Sequence, residues 1–392
     1  MERIALDRRE PGLRAAESRR SSWHQCQPTA MHVAYLLLTL GEAAASLLTM
    51  LVKGPDSPII DVGLHGPLDT LRGAAAQVEA AGGSGIFVSE AKHDAFVPLT
   101  AVAERTRDIT IGTAVAIAFA RTPMSLAYAA HDLQQLSGGR LVLGLGTQIE
   151  PHIVRRFGMP WSRPAARMKE YVAALHAIWD SWQEGTRLDF RGDFYTHTLM
   201  PEAFSPGPLD VARPPVWLAG VGPRMVDVAA EAGDGLFIHP MTSIAYRTEV
   251  MLPAVAGARA RAGRTAPFTI AAMVMVATGE TEEALAAAVA ATRRQIAFYA
   301  STPAYLPVLA HHGWEGLHDA ANAGMREGRY ATLGDLVDDD VLHAFAVVGD
   351  PRQIADQLPS RCAGVDRLTM TMPSQDADAT NLALAVLSSS RT

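Results

Sequence analysis

Cysteine is almost absent from this chain. Cys26 and Cys362 are the two in 392 residues, too few for a disulfide framework or a zinc cluster, so a reducing cytoplasm is the expected setting. No G-x-x-x-x-G-K-[ST] run occurs, which removes the simple phosphate-cradling loop. The dinucleotide fingerprint fails too: after Gly144 and Gly146 its third glycine would fall at Ile149. Positive charge is not in excess. A net charge of −7 with no dominant basic stripe argues against nucleic acid as a partner. A hydrophobic fraction of 48% against 19% charge is that of a globular protein with a substantial core. The length suits one large α/β barrel or two ordinary domains.

The first 57 residues differ from the rest and are read as an N-terminal extension. Residues 1–20 are rich in Arg and Glu without apolar periodicity, as in an unstructured segment. His32 to Val52 is nearly all apolar, broken by Glu42, and about long enough to span a bilayer. The leading reading is a non-native extension from an upstream start, with Met50 near the true one. A signal or anchor, with Arg19-Arg20 before the apolar run and Ala43-Ala44-Ala45 as a cleavage site, is the second. A docked helix is the third.

What the chain does have is regular alternation from Pro58 to its end. Leu136 to Gln148, LSGGRLVLGLGTQ, is the most telling stretch: a helix end, a glycine turn, a wholly apolar strand and a glycine-rich loop. Gly138 and Gly139 can take the positive φ that stops a helix. The apolar run suits a strand buried on both faces, and its bare end lets another body approach. Strands are predicted over 59–64, 85–89, 109–117, 141–145, 215–220, 235–239, 268–277 and 365–372, with amphipathic helices between them. A small hairpin is expected over 188–197. Residues 303–340 read as irregular, a lid or packing excursion. Eight strands with interleaved helices give a (β/α)8 barrel with insertions over 58–392.

Barrel chemistry sits on the loops after the strands. Those loops offer His65; Glu90 with Lys92, His93 and Asp94; Phe119 and Arg121; Thr147, Gln148, Glu150 and His152; Gly220 to Arg224; and His239. Gly220-Val-Gly222 before Pro223 is a candidate anion site, because a helix start offers free N–H groups and partial positive charge; a plain tight turn is the equal alternative. A metal centre is not expected: the run after strand one is His65-Gly-Pro rather than H-x-H, and no strand-four lysine or strand-eight aspartate is evident. His131, beside Asp132 in a helix, reads as structural. Phe96, Phe119 and Trp314 suggest a mouth for an organic, partly apolar ligand.

The motifs SEAKHDAF, IGTAVAIAFARTP, LSGGRLVLGLGTQ, VWLAGVGP and AGDGLFIHP, in this order, resemble the luciferase-like monooxygenase superfamily, and within it most nearly the branch that uses the deazaflavin coenzyme F420. The likeness runs from Ile59 to Pro373. It implies a bacterial-luciferase-like barrel with a non-prolyl cis peptide in strand three, matching Ala114–Val115, behind the cofactor ring. The cofactor phosphate would sit on Gly220, Val221 and Gly222. Gly146, Thr147 and Gln148 would line the ribityl chain or ring edge, and His239 joins the cofactor-binding set. His93 and Asp94 resemble the polar pair near ring and substrate. The implied reaction is hydride transfer between F420 and a small organic substrate, the cofactor carrying the chemistry. His93 leads as acid/base because imidazole titrates near neutrality; His65 or Glu150 shares that role. F420-dependent sugar-phosphate dehydrogenases carry an acid soon after the strand-four Gly-Thr, where this chain has Gln148 and Ile149, so no sugar phosphate is named. Two other readings stay open. One is an FMN-dependent monooxygenase using molecular oxygen, with a partner reductase. The other is a non-catalytic flavin-binding barrel. A homodimer, with no membrane contact by the barrel, is expected.

Overall fold

The protein is described from a computed structural model at residues 59–372 and 377–390. The N-terminal segment over 1–57 therefore lies outside the described residues.

The barrel strands are β1 (Ile59–Leu64), β2 (Gly85–Val88), β3 (Thr110–Thr113) with its short continuation β4 (Ala116–Ile117), β5 (Leu141–Gly146), β8 (Val216–Ala219), β9 (Gly235–Ile238), β10 (Thr269–Thr278) and β12 (Arg367–Thr371). All pair in parallel, in the order β1, β2, β3, β5, β8, β9, β10, β12, and the β12–β1 pairing closes the ring. Two strands, β6 (Phe190–Arg191) and β7 (Thr196–His197), form the expected antiparallel hairpin outside it. Closure near the strand starts is electrostatic as well as backbone-bonded. Asp61, fully buried in β1, accepts from Nε and Nη2 of Arg367 in β12 at 2.9 and 2.6 Å.

Side chains alternate along a strand, so every second residue faces the barrel axis. Phe87, Ala114, Val142, Trp217, Phe237 and Ala271 form one inward cluster. Phe87, Trp217 and Phe237 pack as rings 5.4 to 6.0 Å apart, which closes the barrel below its mouth. The same parity carried upward places His65 above Gly63, Ser89 above Phe87, and His239 above Phe237.

Two expectations need correction. The segment over 303–340 is not irregular. It holds helices Leu306–His311 and Glu315–Arg326 and a 3-10 stretch Tyr330–Leu336, followed by helix Asp339–Phe345. A further parallel strand, β11 (Ala346–Gly349), pairs with Met275–Thr278 of β10. Its pairing starts at Met275, the last residue of β10 that pairs with β12, and runs on past the closed ring, so the eight-strand reading omits it. The predicted strand over 109–117 is also broken, at Ala114–Val115, where the peptide is cis. That is the position the resemblance marks.

Candidate active site at the barrel mouth

A cavity of about 290 Å3 opens above the aromatic cluster. It is walled by the upper ends of β9, β10, β12, β1 and β2, with Met273, Met275, Met372 and Phe87 giving an apolar floor and His65, Ser89, His239 and Thr371 giving polar atoms. Gln295 and Tyr299 reach it from the long helix Glu282–Ala300, which follows β10. Tyr299 lies 4.6 Å from the His239 ring and Tyr305 4.8 Å, centroid to centroid. Burial lowers the His239 pKa to about 3, so this imidazole is neutral at any ordinary pH. Its Nδ1 accepts the Met241 N–H at 3.1 Å.

A second pocket of about 190 Å3 adjoins the first, sharing His65, Ser89 and Ala91, and carries Lys92, His93 and Asp94 on its wall. Ser89 Oγ lies 3.3 Å from His65 Nδ1. The loop is held by one arginine. Arg121 donates to Glu90 at 2.6 Å and to Asp94 at 2.5 Å, while its guanidinium lies 5.4 Å from the Phe96 ring centroid. Burial acts to lower the Arg121 pKa, but its bonds and proximity to the two carboxylates outweigh it and the net direction is up. Asp94 has both oxygens engaged: the other accepts the N–H groups of Phe96 and Val97, at 2.7 and 3.1 Å, at the start of helix Phe96–Arg105. His93 is exposed on the rim.

The opposite half of the mouth belongs to β3, β5 and β8. Here the glycines divide by role. A Cβ on Gly144 would lie 2.0 Å from the Thr113 carbonyl oxygen, and one on Gly146 would lie 2.6 Å from a Val115 methyl. Both therefore make room for the kink between β3 and β4. Gly220 is also close-packed, against Leu236 and the chain at Met225 and Val226. Gly222 faces open space and precedes the ten-residue helix Pro223–Ala232. Among the described residues the N–H groups of Val221 and Gly222 have no backbone partner. Between these glycine loops, Gln148 takes a left-handed φ of 59°, a costly conformation for a non-glycine residue. It is held by the Thr147 hydroxyl on its carbonyl and by its own side chain accepting the Ile149 N–H.

The structure thus brings His65, Ala114 and His239 to one cavity and His93 and Asp94 to its neighbour. Gly146, Thr147, Gln148 and Gly220 to Gly222 line neither cavity. The expected aromatic mouth is corrected: Phe119 is fully buried against Trp161, Phe96 lies under Arg121, and Trp314 stacks on His312. Ser89, Met273, Met275, Gln295, Tyr299 and Thr371 went unread in the sequence, although inward parity along β2, β10 and β12 marks four of them. His131 is structural as expected, 4% exposed and bonded through Nε2 to the Gly207 carbonyl. Among the described residues no group of three or more His, Cys, Asp or Glu could hold a metal ion, and no helix is long and apolar enough to cross a membrane.

Comparison with known proteins matches this architecture. An uncharacterised protein of Mycobacterium tuberculosis is 49% identical over 313 residues, covering 79% of this chain and 92% of its own. A putative coenzyme F420-dependent oxidoreductase of the same organism is 29% identical over 320 residues, covering 77% and 90%. The solved coenzyme F420-dependent tetrahydromethanopterin reductase of Methanopyrus kandleri superposes with a TM-score of 0.65 at 20% identity, over 83% of this chain and 97% of its own. The sequence profile of the luciferase-like monooxygenases matches residues 46–366, and the chain belongs to that family.

Proposed function

We propose that the protein is an oxidoreductase that binds the deazaflavin F420 on the β3–β5–β8 half of its mouth and transfers a hydride between it and a small organic substrate in the adjoining cavity. The observation that carries this reading is the start of helix Pro223–Ala232. Among the described residues the N–H groups of Val221 and Gly222 have no backbone partner there, a Cβ on Gly222 would meet open space, and the helix start adds partial positive charge for a phosphate. The name of the 29% identical relative supports F420 as the cofactor. When bound, the deazaflavin supplies a carbon that gives or takes hydride. Thr147 and Gln148, fixed in their unusual turn, stand between the phosphate end and the β3 kink, where Ala114 and Val115 back the ring. His65, close to Ser89, and His93 on the rim hold or move the proton that accompanies hydride transfer. Asp94, with both oxygens occupied, positions the His93 loop through Arg121.

Titration of the purified protein with F420 and with FMN, followed by fluorescence, tests the choice. Saturable F420 binding is expected; tight FMN binding with none of F420 overturns it. Gly222→Asp sharpens the test. A Cβ at this position meets no atom within 4 Å, and aspartate suits a helix start, so thermal stability should hold. Its carboxylate would repel the phosphate, and F420 affinity should fall at least tenfold. Unchanged affinity would remove the phosphate from this helix.

A further inference from the structure

The cavity and the proposed cofactor site occupy opposite halves of one mouth. Around the barrel, β3, β5 and β8 are consecutive, and so are β9, β10, β12, β1 and β2. Ala114 is the point where they meet, since it lines the cavity and begins the kink. On the reading above, the cavity is the substrate's half. Its lining includes no side chain of fixed charge, and its titratable members are His65, His239 and Tyr299. Lys92 and Asp94 are confined to the neighbouring pocket.

His239 is the polar group whose state the structure defines. It continues the inward parity of β9, two residues beyond Phe237. Its Nδ1 accepts a backbone N–H, and a neutral imidazole with an accepting Nδ1 must carry its proton on Nε2. Nε2 has no hydrogen-bond partner among the described residues, and the ring lines the cavity. The two tyrosine rings packed on it offer no charge to draw the imidazole toward its protonated form. The depressed pKa agrees with that neutrality. A neutral donor among methionines and a phenylalanine favours an uncharged acceptor oxygen on an apolar body. An anion gains no ion pair here to offset its desolvation, and an ammonium group meets a donor at His239 and no carboxylate anywhere in the lining.

We infer that His239 determines specificity: its Nε2–H holds the oxygen of an uncharged, largely apolar carbonyl or hydroxyl substrate, and the cavity rejects carboxylates and amines of the same shape. His239 here takes a substrate-facing place instead of the cofactor-binding one expected from the sequence.

The test uses the full chain without added cofactor and three shape-matched probes: acetophenone, benzoate and benzylamine. In protein labelled with 15N-histidine, the His239 resonances, assigned with His239→Phe, should report the Nε2–H form unchanged from pH 8 to pH 5. Acetophenone should shift the Nε2 signal and bind at least tenfold more tightly than benzoate or benzylamine. His239→Phe should weaken acetophenone binding at least tenfold, while His239→Gln, which keeps an N–H donor, should stay within about threefold of the parent. Titration of His239 near pH 6.5, an Nδ1–H ring, equal binding of benzoate, or equal binding by the Phe and Gln variants would each overturn the inference. F420 titration of the same variants separates the two readings. Acetophenone binding that depends on position 239 in a protein that ignores F420 would sink the cofactor assignment alone, and normal F420 binding with no selectivity among the probes would sink this one alone.

Discussion

Gly144 shows how one missing side chain shapes the mouth. Thr113 Oγ1 donates to the Gly144 carbonyl at 2.6 Å, so β3 and β5 are tied at the very place where a Cβ would lie 2.0 Å from the Thr113 carbonyl oxygen. Backbone on both sides leaves little room to yield. Gly144→Ala should cost about 3 kcal/mol, at the upper end of usual overpacking penalties, and read out as a lower urea midpoint at unchanged slope. Gly222→Ala, facing open space, is the control and should change stability by less than about 0.5 kcal/mol. Equal midpoints for the two alanine variants would mean that the kink can move aside, and Gly144 would lose its packing role. The run LGLGT thus serves first to seat the β3 kink, and phosphate binding falls to the loop before Pro223.

At the scale of elements, the hairpin of β6 and β7 is too short to stand alone. It is fastened by Glu170, on the long helix Pro164–Glu184. The Glu170 carboxylate accepts the N–H groups of Asp193, Phe194 and Tyr195 at 2.8, 2.7 and 2.7 Å. Glu170→Ala should release these amides to fast hydrogen exchange and cost about 2 kcal/mol overall, since charge-assisted bonds are strong but the turn can still reach water. Persistent protection of the three amides would show that the hairpin is held by other contacts.

That hairpin was legible in the sequence, as were the eight barrel strands and the helices between them, because short apolar runs bounded by glycine recur at βα spacing. The anchoring by Glu170 was not, since twenty-odd residues of chain separate it from the turn it holds. Residues 303–340 read as irregular for a related reason: their helices are short and broken by turns, and β11, beyond them, is defined by pairing with the far end of β10. The loops that could bear chemistry followed from the strand ends. Which residues share a cavity required the register of each strand, and Gln295 and Tyr299 arrive from a helix whose outward periodicity gives no sign of a site.

For the molecule as a whole, the half-buried histidines set how stability responds to acid. Burial lowers the His239 pKa to about 3. Burial first, and then Arg213, lower that of His176 to about 4, against the opposing pull of Asp234. Both rings titrate near pH 6.5 in the unfolded chain. Above that pH neither state binds the proton and stability is unaffected. As pH falls below 6.5 the unfolded chain protonates these rings and the folded one does not, so the unfolded state gains. Stability is then lost at up to about 1.4 kcal/mol per pH unit for each histidine, until the folded rings protonate near pH 4 for His176 and near pH 3 for His239. His197 and His312 are lowered by burial as well and act with the same sign. Urea unfolding at pH 8, 7, 6 and 5 should show a plateau and then a decline of several kcal/mol by pH 5. His239→Gln and His176→Gln should each remove about one histidine's share of that slope, whatever they do to stability at pH 8. A parent protein equally stable at pH 7 and pH 5 would show these rings reaching protons in the folded state, and His239 would then be no fixed neutral donor at the mouth.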